Sequence, residues 1–227
     1  MNFERGFKTW AERTSASLRQ ELKLLPHEPL SPTVLAGYLD VALWTPVEVP
    51  GITREVVDQL LNQDPWGWSA VSVYRADRAF VIYNPRKSAG RRASDIMHEL
   101  AHLILSHQPA TVVMSQDGSF VMRSYDQAQE DEANWLAWCI LLPRDALLRC
   151  RKLDLSIAEI AEQYDVTETL VNFRLRMTGV ESQLRAASAR RKFRSRQLLA
   201  IEKPSSTSWS LGRQTSERES EVSFQSL

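Results

Sequence analysis

The stretch Asp95-Ile-Met-His98-Glu99-Leu-Ala-His102-Leu-Ile-Leu105 spells H-E-x-x-H inside an apolar-striped run. If this run is an α-helix, His98 and His102 lie one turn apart on the same face, so both imidazoles can reach one divalent ion. Glu99 lies beside them and can contact a water molecule on that ion. The spacing therefore predicts a metal site on a helix, with His98 and His102 as metal ligands and Glu99 as the catalytic residue.

A third metal ligand has to come from elsewhere, because catalytic zinc usually has three protein ligands and one open position. The extended metzincin pattern requires a glycine and then a third histidine, and this chain has Leu105 and Gln108 at those positions. That class is therefore excluded. His107 is one position off, and on a continuing helix it would face nearly opposite His98.

The next long helical pattern, from Gln127 to Leu142, offers carboxylates for the third position. Its expected inward stripe comprises Ala133, Leu136, Ala137, Ile140 and Leu141. Glu130 belongs to that stripe and is the best third ligand, with Glu132 as the runner-up. Asp131 and Glu132 lie further round the helix, where a solvated charge is the favoured interpretation. Asn134 is expected to orient a ligand rather than to bind the metal.

Three segments together resemble the ImmA/IrrE family of zinc metallopeptidases. They are His98-Glu-Leu-Ala-His102, Glu130-Asp-Glu-Ala-Asn134 and Ile140-Leu-Leu-Pro143. The resemblance covers roughly residues 5–180 and is most convincing over 78–145. The family's glutamate ligand matches Glu130 when the asparagine and the terminal proline are aligned. The chain departs from the family in having Leu136 where an aromatic residue usually stands. It also has Ile140-Leu-Leu-Pro143 in place of the usual Leu-Leu-Met-Pro end, with the spacing kept.

The resemblance implies an α+β fold: a zincin-like metallopeptidase core, with a small antiparallel sheet and active-site helices, followed by a helix-turn-helix-like segment. It implies a Zn²⁺ cofactor held by His98, His102 and Glu130, and a zinc endopeptidase in which Glu99 is the general base on zinc-bound water. The implied substrate is a regulatory protein, often a helix-turn-helix repressor, in transcriptional regulation or a stress response.

The predicted strands before the motif helix are a candidate surface for substrate binding. Two alternating runs, Ser69–Tyr74 and Arg78–Tyr83, predict an antiparallel hairpin directly before the motif helix. The second strand could bind an extended peptide by edge pairing. Tyr83 and Tyr125 are candidates for a second oxyanion donor.

The C-terminal part of the chain shows a different pattern. Residues 155–180 have helix-turn-helix character, with Asp165 in place of the usual turn glycine. A strongly basic helix follows at Ala187–Leu199. If the segment 156–196 reads DNA, the residues that would present to the groove are Thr169, Asn172, Arg174 and Arg176. Packing of the helix pair on the catalytic core as scaffold is the favoured interpretation.

These patterns predict three parts: residues 1–150 as the metallopeptidase domain, 151–200 as the helical segment and 201–227 as a disordered tail. The 227 residues carry 28 basic and 28 acidic side chains, so the net charge gives no global attraction to nucleic acid. The two cysteines, Cys139 and Cys150, have no C-x-x-C spacing and are expected to be free thiols. No apolar run is long enough to span a bilayer, which predicts a soluble cytoplasmic protein without a membrane partner.

Three functions remain open at this point. The first is a zinc endopeptidase, the second a DNA-binding transcriptional regulator, and the third a non-proteolytic interaction protein with a zincin core.

Overall fold

The fold is a mixed α+β arrangement of helices around a small sheet, in a computed structural model that describes residues 3–75, 78–107, 113–114, 120–121 and 126–201. The helices are α1 (Phe7–Glu21), α2 (Pro32–Tyr38), α3 (Arg54–Asp58), α4 (Ala89–Ile104), α5 (Gln127–Leu141), α6 (Arg144–Lys152), α7 (Ile157–Gln163), α8 (Glu168–Thr178) and α9 (Val180–Ile201). The strands are β1 (Ala42–Trp44), β2 (Ala70–Arg75), β3 (Arg78–Tyr83), β4 (Val113–Met114) and β5 (Phe120–Val121). A 3-10 turn at Pro46–Glu48 follows β1, and α3 continues as a π-helical turn at Gln59–Gln63.

The predicted hairpin is confirmed, since β2 and β3 pair antiparallel with Ser72 opposite Val81. A third strand, β1, was not predicted; it is three residues long and pairs parallel with β3. The order is β1-β3-β2, so β3 is the central strand of this sheet. The expectation that β3 binds a peptide at its edge is therefore wrong, because both of its sides are already paired. A short second ladder joins β4 and β5.

The hydrophobic core lies where α4 packs on α5 and on the sheet. The predicted inward stripe of α5 is confirmed, since all of its members are buried: Ala133, Leu136, Ala137, Ile140 and Leu141. Met97, Leu100 and Ala101 of α4 and Val81 of β3 are also buried. These apolar residues alternate with the polar positions of α4, so the same helix that anchors the core presents its histidines on another face.

Helix α1 is tied to α5 by buried polar groups. The Ser15 hydroxyl donates to the Cys139 carbonyl at 2.7 Å, and Arg19 Nη2 donates to the Ile140 carbonyl at 2.7 Å. Arg19 Nη1 also donates to Ser15 Oγ at 2.8 Å. Burial lowers the pKa of the Arg19 guanidinium to about 10. These bonds satisfy the side-chain donors and fix the register of the two helices.

The helix-turn-helix-like segment packs on the rest of the same compact unit. Asp165 adopts the left-handed conformation, with φ 48°, at the turn between α7 and α8, as expected for this position. Gly90 of α4 lies against that turn, and a Cβ added there would come within 2.9 Å of the Val166 carbonyl carbon. The Tyr164 hydroxyl donates to the His27 carbonyl at 2.6 Å. These contacts make the segment part of the scaffold.

Arg174 is buried, so its expected presentation to a DNA groove is wrong. Its side chain is 1% exposed, and its guanidinium donates to the Leu142 carbonyl at 3.0 Å and to the Glu12 carboxylate at 2.5 Å. Thr169, Asn172 and Arg176 lie on the same helix, and Arg176 is exposed. Arg174 therefore joins α8 to α1 and to the end of α5.

The chain divides into two compact units, Met1–Arg185 and Ala186–Leu227. Within the second, the described residues form the C-terminal part of α9. The division at residues 150 and 200 stays a prediction, and the predicted tail from 202 onward lies outside the described residues. No helix in the described part of the chain is long and apolar enough to cross a membrane.

Both cysteine thiols are buried and unpaired by any disulfide. Burial raises the pKa of the Cys139 thiol to about 12, and it also raises the pKa of Cys150. We expect neither thiol to react with iodoacetamide at pH 8 in the folded protein, because a protonated, buried thiol is a poor nucleophile. Intact mass should show no added group in buffer and two in denaturant. Labelling in buffer would contradict the burial.

Candidate metal centre

Helix α4 places two histidine rings side by side. The helix begins at Ala89, after Ser88, and not at Asp95 where the apolar run starts. His98 and His102 lie one turn apart, with ring centroids 4.6 Å apart and their Nε2 atoms 3.0 Å apart. Each side chain is about one-fifth exposed, so both rings lie at the boundary between the core and solvent. The expected pairing of the histidines on one face is confirmed.

Helix α5 brings Glu130 to these rings. One carboxylate oxygen lies 3.1 Å from His98 Nε2, and the other lies 3.6 Å from His102 Nε2. The ligand atoms of the three residues all lie within 4.8 Å of one another. The structure therefore brings together the three residues that the sequence nominated as metal ligands.

This donor set fits a zinc ion. Four ligands arranged tetrahedrally at zinc distances stand about 3.3 Å from one another, which is close to the spacings between these three residues. Two imidazole nitrogens and one carboxylate oxygen are also a donor set that zinc accepts with one position left open. His98 and His102 both direct Nε2 to the centre, so the same ring nitrogen would serve in each.

Glu99 is hydrogen-bonded to strand β2. Its Oε2 accepts hydrogen bonds from the Ser72 backbone N–H at 2.9 Å and from the Ser72 hydroxyl at 2.5 Å. Ser72 was not nominated from the sequence. Its signal is only that it interrupts the apolar pair Val71 and Val73 in an alternating strand. Glu99 therefore bridges the motif helix and the edge strand of the sheet.

A cavity of about 350 Å³ opens beside the cluster. Its lining comprises Ser69, Ala70, Arg91, Ser94, Asp95, His98, Glu99, Glu130, Asn134 and Trp138. Arg91 lies inside α4 and pairs with Asp95 at 3.0 Å. Burial raises the pKa of the Asp95 carboxyl, and the charge of Arg91 opposes that shift. The cavity is thus lined largely by polar groups, and it reaches His98, Glu99 and Glu130.

The remaining nominated residues have other positions. Asn134 Nδ2 donates to the backbone carbonyl of Glu130 at 2.8 Å, so it contacts the ligand residue through its main chain. Tyr83 does not line the cavity. Tyr125 lies outside the described residues, as does Gln108.

His107 and Glu132 do not lie where the sequence placed them. Helix α4 ends at Ile104, and the chain turns at Ser106 with φ 53°, so His107 folds back on His102 rather than facing away from His98. Glu132 is not simply solvated either, since its carboxylate oxygen lies 3.4 Å from His107 Nε2.

A family profile and a solved structure are similar to this chain. The family profile described as Peptidase_M78, IrrE N-terminal-like domain, matches residues 59–176. A solved structure described as a Mycobacterium tuberculosis transcriptional regulator is similar over 77% of this chain, at 18% identity and a TM-score of 0.46. The match covers 48% of that structure, so this chain spans about half its length. No curated protein matches the sequence.

The matched region extends from the turn before the hairpin to α8 and includes every residue of the cluster. It accounts for just over half of the chain. The zincin-like α+β fold and the family expected from the motif spacing are thereby confirmed. This chain belongs to the Peptidase_M78 family, as a protein with an IrrE N-terminal-like domain.

Proposed function

We propose that the protein is a zinc-dependent endopeptidase that cleaves a regulatory protein. The observation that carries the proposal is the convergence of His98, His102 and Glu130, two of which line an open cavity together with Glu99. Membership of a metallopeptidase family supports the chemistry in general terms.

His98, His102 and Glu130 would hold the ion. When bound, zinc would supply Lewis-acid activation of a water molecule and of the scissile carbonyl. Glu99 would accept a proton from the attacking water and deliver it to the leaving amine. The two hydrogen bonds from Ser72 fix the position of the Glu99 carboxylate before substrate arrives.

Strand β2 is the better candidate for substrate pairing, now that β3 is known to be central. It has a partner on one side only within the described three-stranded sheet, and its Ser72 N–H points to Glu99 rather than to β3. An extended peptide laid along this edge would pass close to the Glu99 carboxylate. A helix-turn-helix repressor remains the substrate class proposed from the family resemblance.

The experiment that tests this function does not require the substrate in advance. The zinc-loaded protein is added to a lysate of its source cells, and new protein N-termini are labelled and identified by mass spectrometry. A second sample of lysate receives protein treated with a chelator. A third sample receives the chelator-treated protein after zinc has been restored. We expect new N-termini in regulatory proteins with zinc, none after chelation, and their return on restoration. No zinc-dependent N-termini would contradict the proposal.

The third ligand can be tested against its neighbour on the helix. We expect Glu130→Ala to lose the one equivalent of zinc that the wild-type protein binds, because two imidazoles alone leave the ion without its carboxylate. Asp131→Ala is the matched control and should bind one equivalent. Metal content after dialysis measures both. Full zinc binding by Glu130→Ala would contradict the assignment.

A DNA-binding regulator is the second candidate, favoured by the exposed basic side chains of α9. These are Arg185, Arg190, Arg191, Lys192 and Arg194. The burial of Arg174 counts against groove reading by α8. Salt-dependent binding to duplex DNA that is weakened by Arg190→Ala would support this candidate, and its absence would leave the endopeptidase.

A further inference from the structure

The chain reverses direction at the end of α4 and places a third histidine, His107, next to the cluster of His98, His102 and Glu130. Ser106 occupies the left-handed position after the helix, its N–H donates to the Leu103 carbonyl at 3.0 Å, and the His107 N–H donates to the His102 carbonyl at 3.0 Å. This pair of backbone bonds is the Schellman arrangement of a helix end. It ties the backbone of His107 directly to that of His102.

The side chains continue the same connection. His107 Nδ1 lies 2.9 Å from His102 Nδ1, and His107 Nε2 lies 3.4 Å from the Glu132 carboxylate. The His107 side chain is only 8% exposed, so solvent has little access to its ring, while the Glu132 side chain is 26% exposed. The side chains of Glu132, His107 and His102 form a connected series, which starts on α5 and ends at Nδ1 of His102.

Glu132 determines which nitrogen of each histidine ring donates and which accepts in this series. A carboxylate only accepts hydrogen bonds, so a neutral His107 carries its one ring proton on Nε2 and accepts at Nδ1. His102 must then donate from Nδ1 to His107. A neutral imidazole carries one ring proton, so His102 Nε2 is left with its lone pair, and this is the atom that faces Glu130 and His98.

We propose that His107 and Glu132 are positioning residues that hold His102 in the Nδ1–H tautomer and in the ring orientation needed to bind zinc. The inference rests on the proposed metal triad, but it concerns how the ligand is prepared rather than whether a peptide is cut. Groups that orient a metal-bound histidine through its second nitrogen change metal affinity by roughly 10- to 100-fold.

The test uses the full chain without metal and then with zinc. Long-range ¹H–¹⁵N spectra of ¹⁵N-histidine protein report which nitrogen of each ring carries a proton, and the chain has only four histidines. We expect His102 in the Nδ1–H form in the wild-type protein and in a mixture of forms in His107→Leu. His107→Asn should restore the Nδ1–H form, because its amide oxygen takes the place of the acceptor nitrogen.

Zinc affinity, measured by competition with a chelator, gives the second readout. We expect His107→Leu and Glu132→Leu to bind zinc roughly 10- to 100-fold more weakly than wild type, and His107→Asn to bind nearly as tightly. His27→Leu is the matched histidine control and should leave both the affinity and the His102 spectrum unchanged. Urea unfolding of each metal-free variant separates these effects from loss of the fold.

Two results would overturn the inference. One is an unchanged His102 tautomer together with unchanged zinc affinity in His107→Leu. The other is binding of two zinc ions by the wild-type protein and of one by His107→Leu, which would make His107 a ligand of a second ion. Zinc binding without peptide cleavage would instead count against the endopeptidase proposal while leaving this inference standing.

Discussion

Replacing Glu99 with glutamine should lower the rate of peptide-bond hydrolysis by about a thousandfold while the variant still binds one zinc ion. The glutamine has nearly the same shape, and its amide oxygen can accept the two hydrogen bonds that Ser72 donates to Glu99. It cannot accept a proton from the attacking water. The substitution therefore removes the proposed base and leaves His98, His102 and Glu130 in place.

Metal content and the zinc-dependent appearance of new N-termini measure the two halves of this prediction. Glu162→Gln, at an exposed position of α7, is the matched control and should behave as wild type. Hydrolysis at the wild-type rate by zinc-loaded Glu99→Gln would contradict the role of Glu99. Loss of zinc from the variant would show that Glu99 helps to hold the ion. A variant that binds zinc, does not hydrolyse and still performs the biological function would favour a non-proteolytic protein.

The cluster of His98, His102 and Glu130 could be predicted from sequence because each part depends on a local period. His98 and His102 share a face whenever residues 95–105 are helical, and Glu130 shares the buried stripe of α5. The only nonlocal step is the packing of α4 on α5, and the apolar stripes of both helices require a partner of that kind. The same periodicity predicted the burial of Ala133 and Ile140 correctly.

The position of His107 could not be predicted in this way, because it depends on where α4 ends. The apolar pattern continues through Leu105, and serine is not a common residue at a left-handed helix end. If the helix continued with the same period, His107 would lie on the side of α4 nearly opposite His98. Ser106, with φ 53°, reverses the direction of the chain and so brings His107 next to His102.

The hydrogen bonds of Glu99 could not be predicted from the sequence either, because they depend on the order of the strands in the sheet. The sequence predicts that β2 and β3 pair but does not predict which of them lies at the edge. Strand β1, with three residues, settles this by pairing with β3. As a result the Ser72 N–H, which points away from β3, lies on the edge strand and donates to the Glu99 carboxylate.

Replacing Arg174 with methionine should destabilise the protein by about 3 kcal/mol, since removing one member of a buried ion pair leaves the other without its partner. The Glu12 carboxylate is 28% exposed, so water compensates part of the loss, and the expected value lies at the lower end of the usual range. The Leu142 carbonyl also loses its donor. For a chain of this length the melting temperature should fall by about 10 °C.

Arg176→Ala is the matched control, because Arg176 lies two residues further along α8 and is exposed. It should change the free energy of unfolding by less than about 0.5 kcal/mol, as is usual at surface positions. Adding Glu12→Gln to Arg174→Met should cost less than it does in the wild-type protein, since the charge it removes has already lost its partner. Equal effects of Arg174→Met and Arg176→Ala in urea unfolding would contradict the buried pair. This contrast also decides how DNA binding must be tested: a loss of binding in Arg174→Met would report unfolding of the scaffold, whereas a loss in Arg176→Ala would report a contact made by the helix surface.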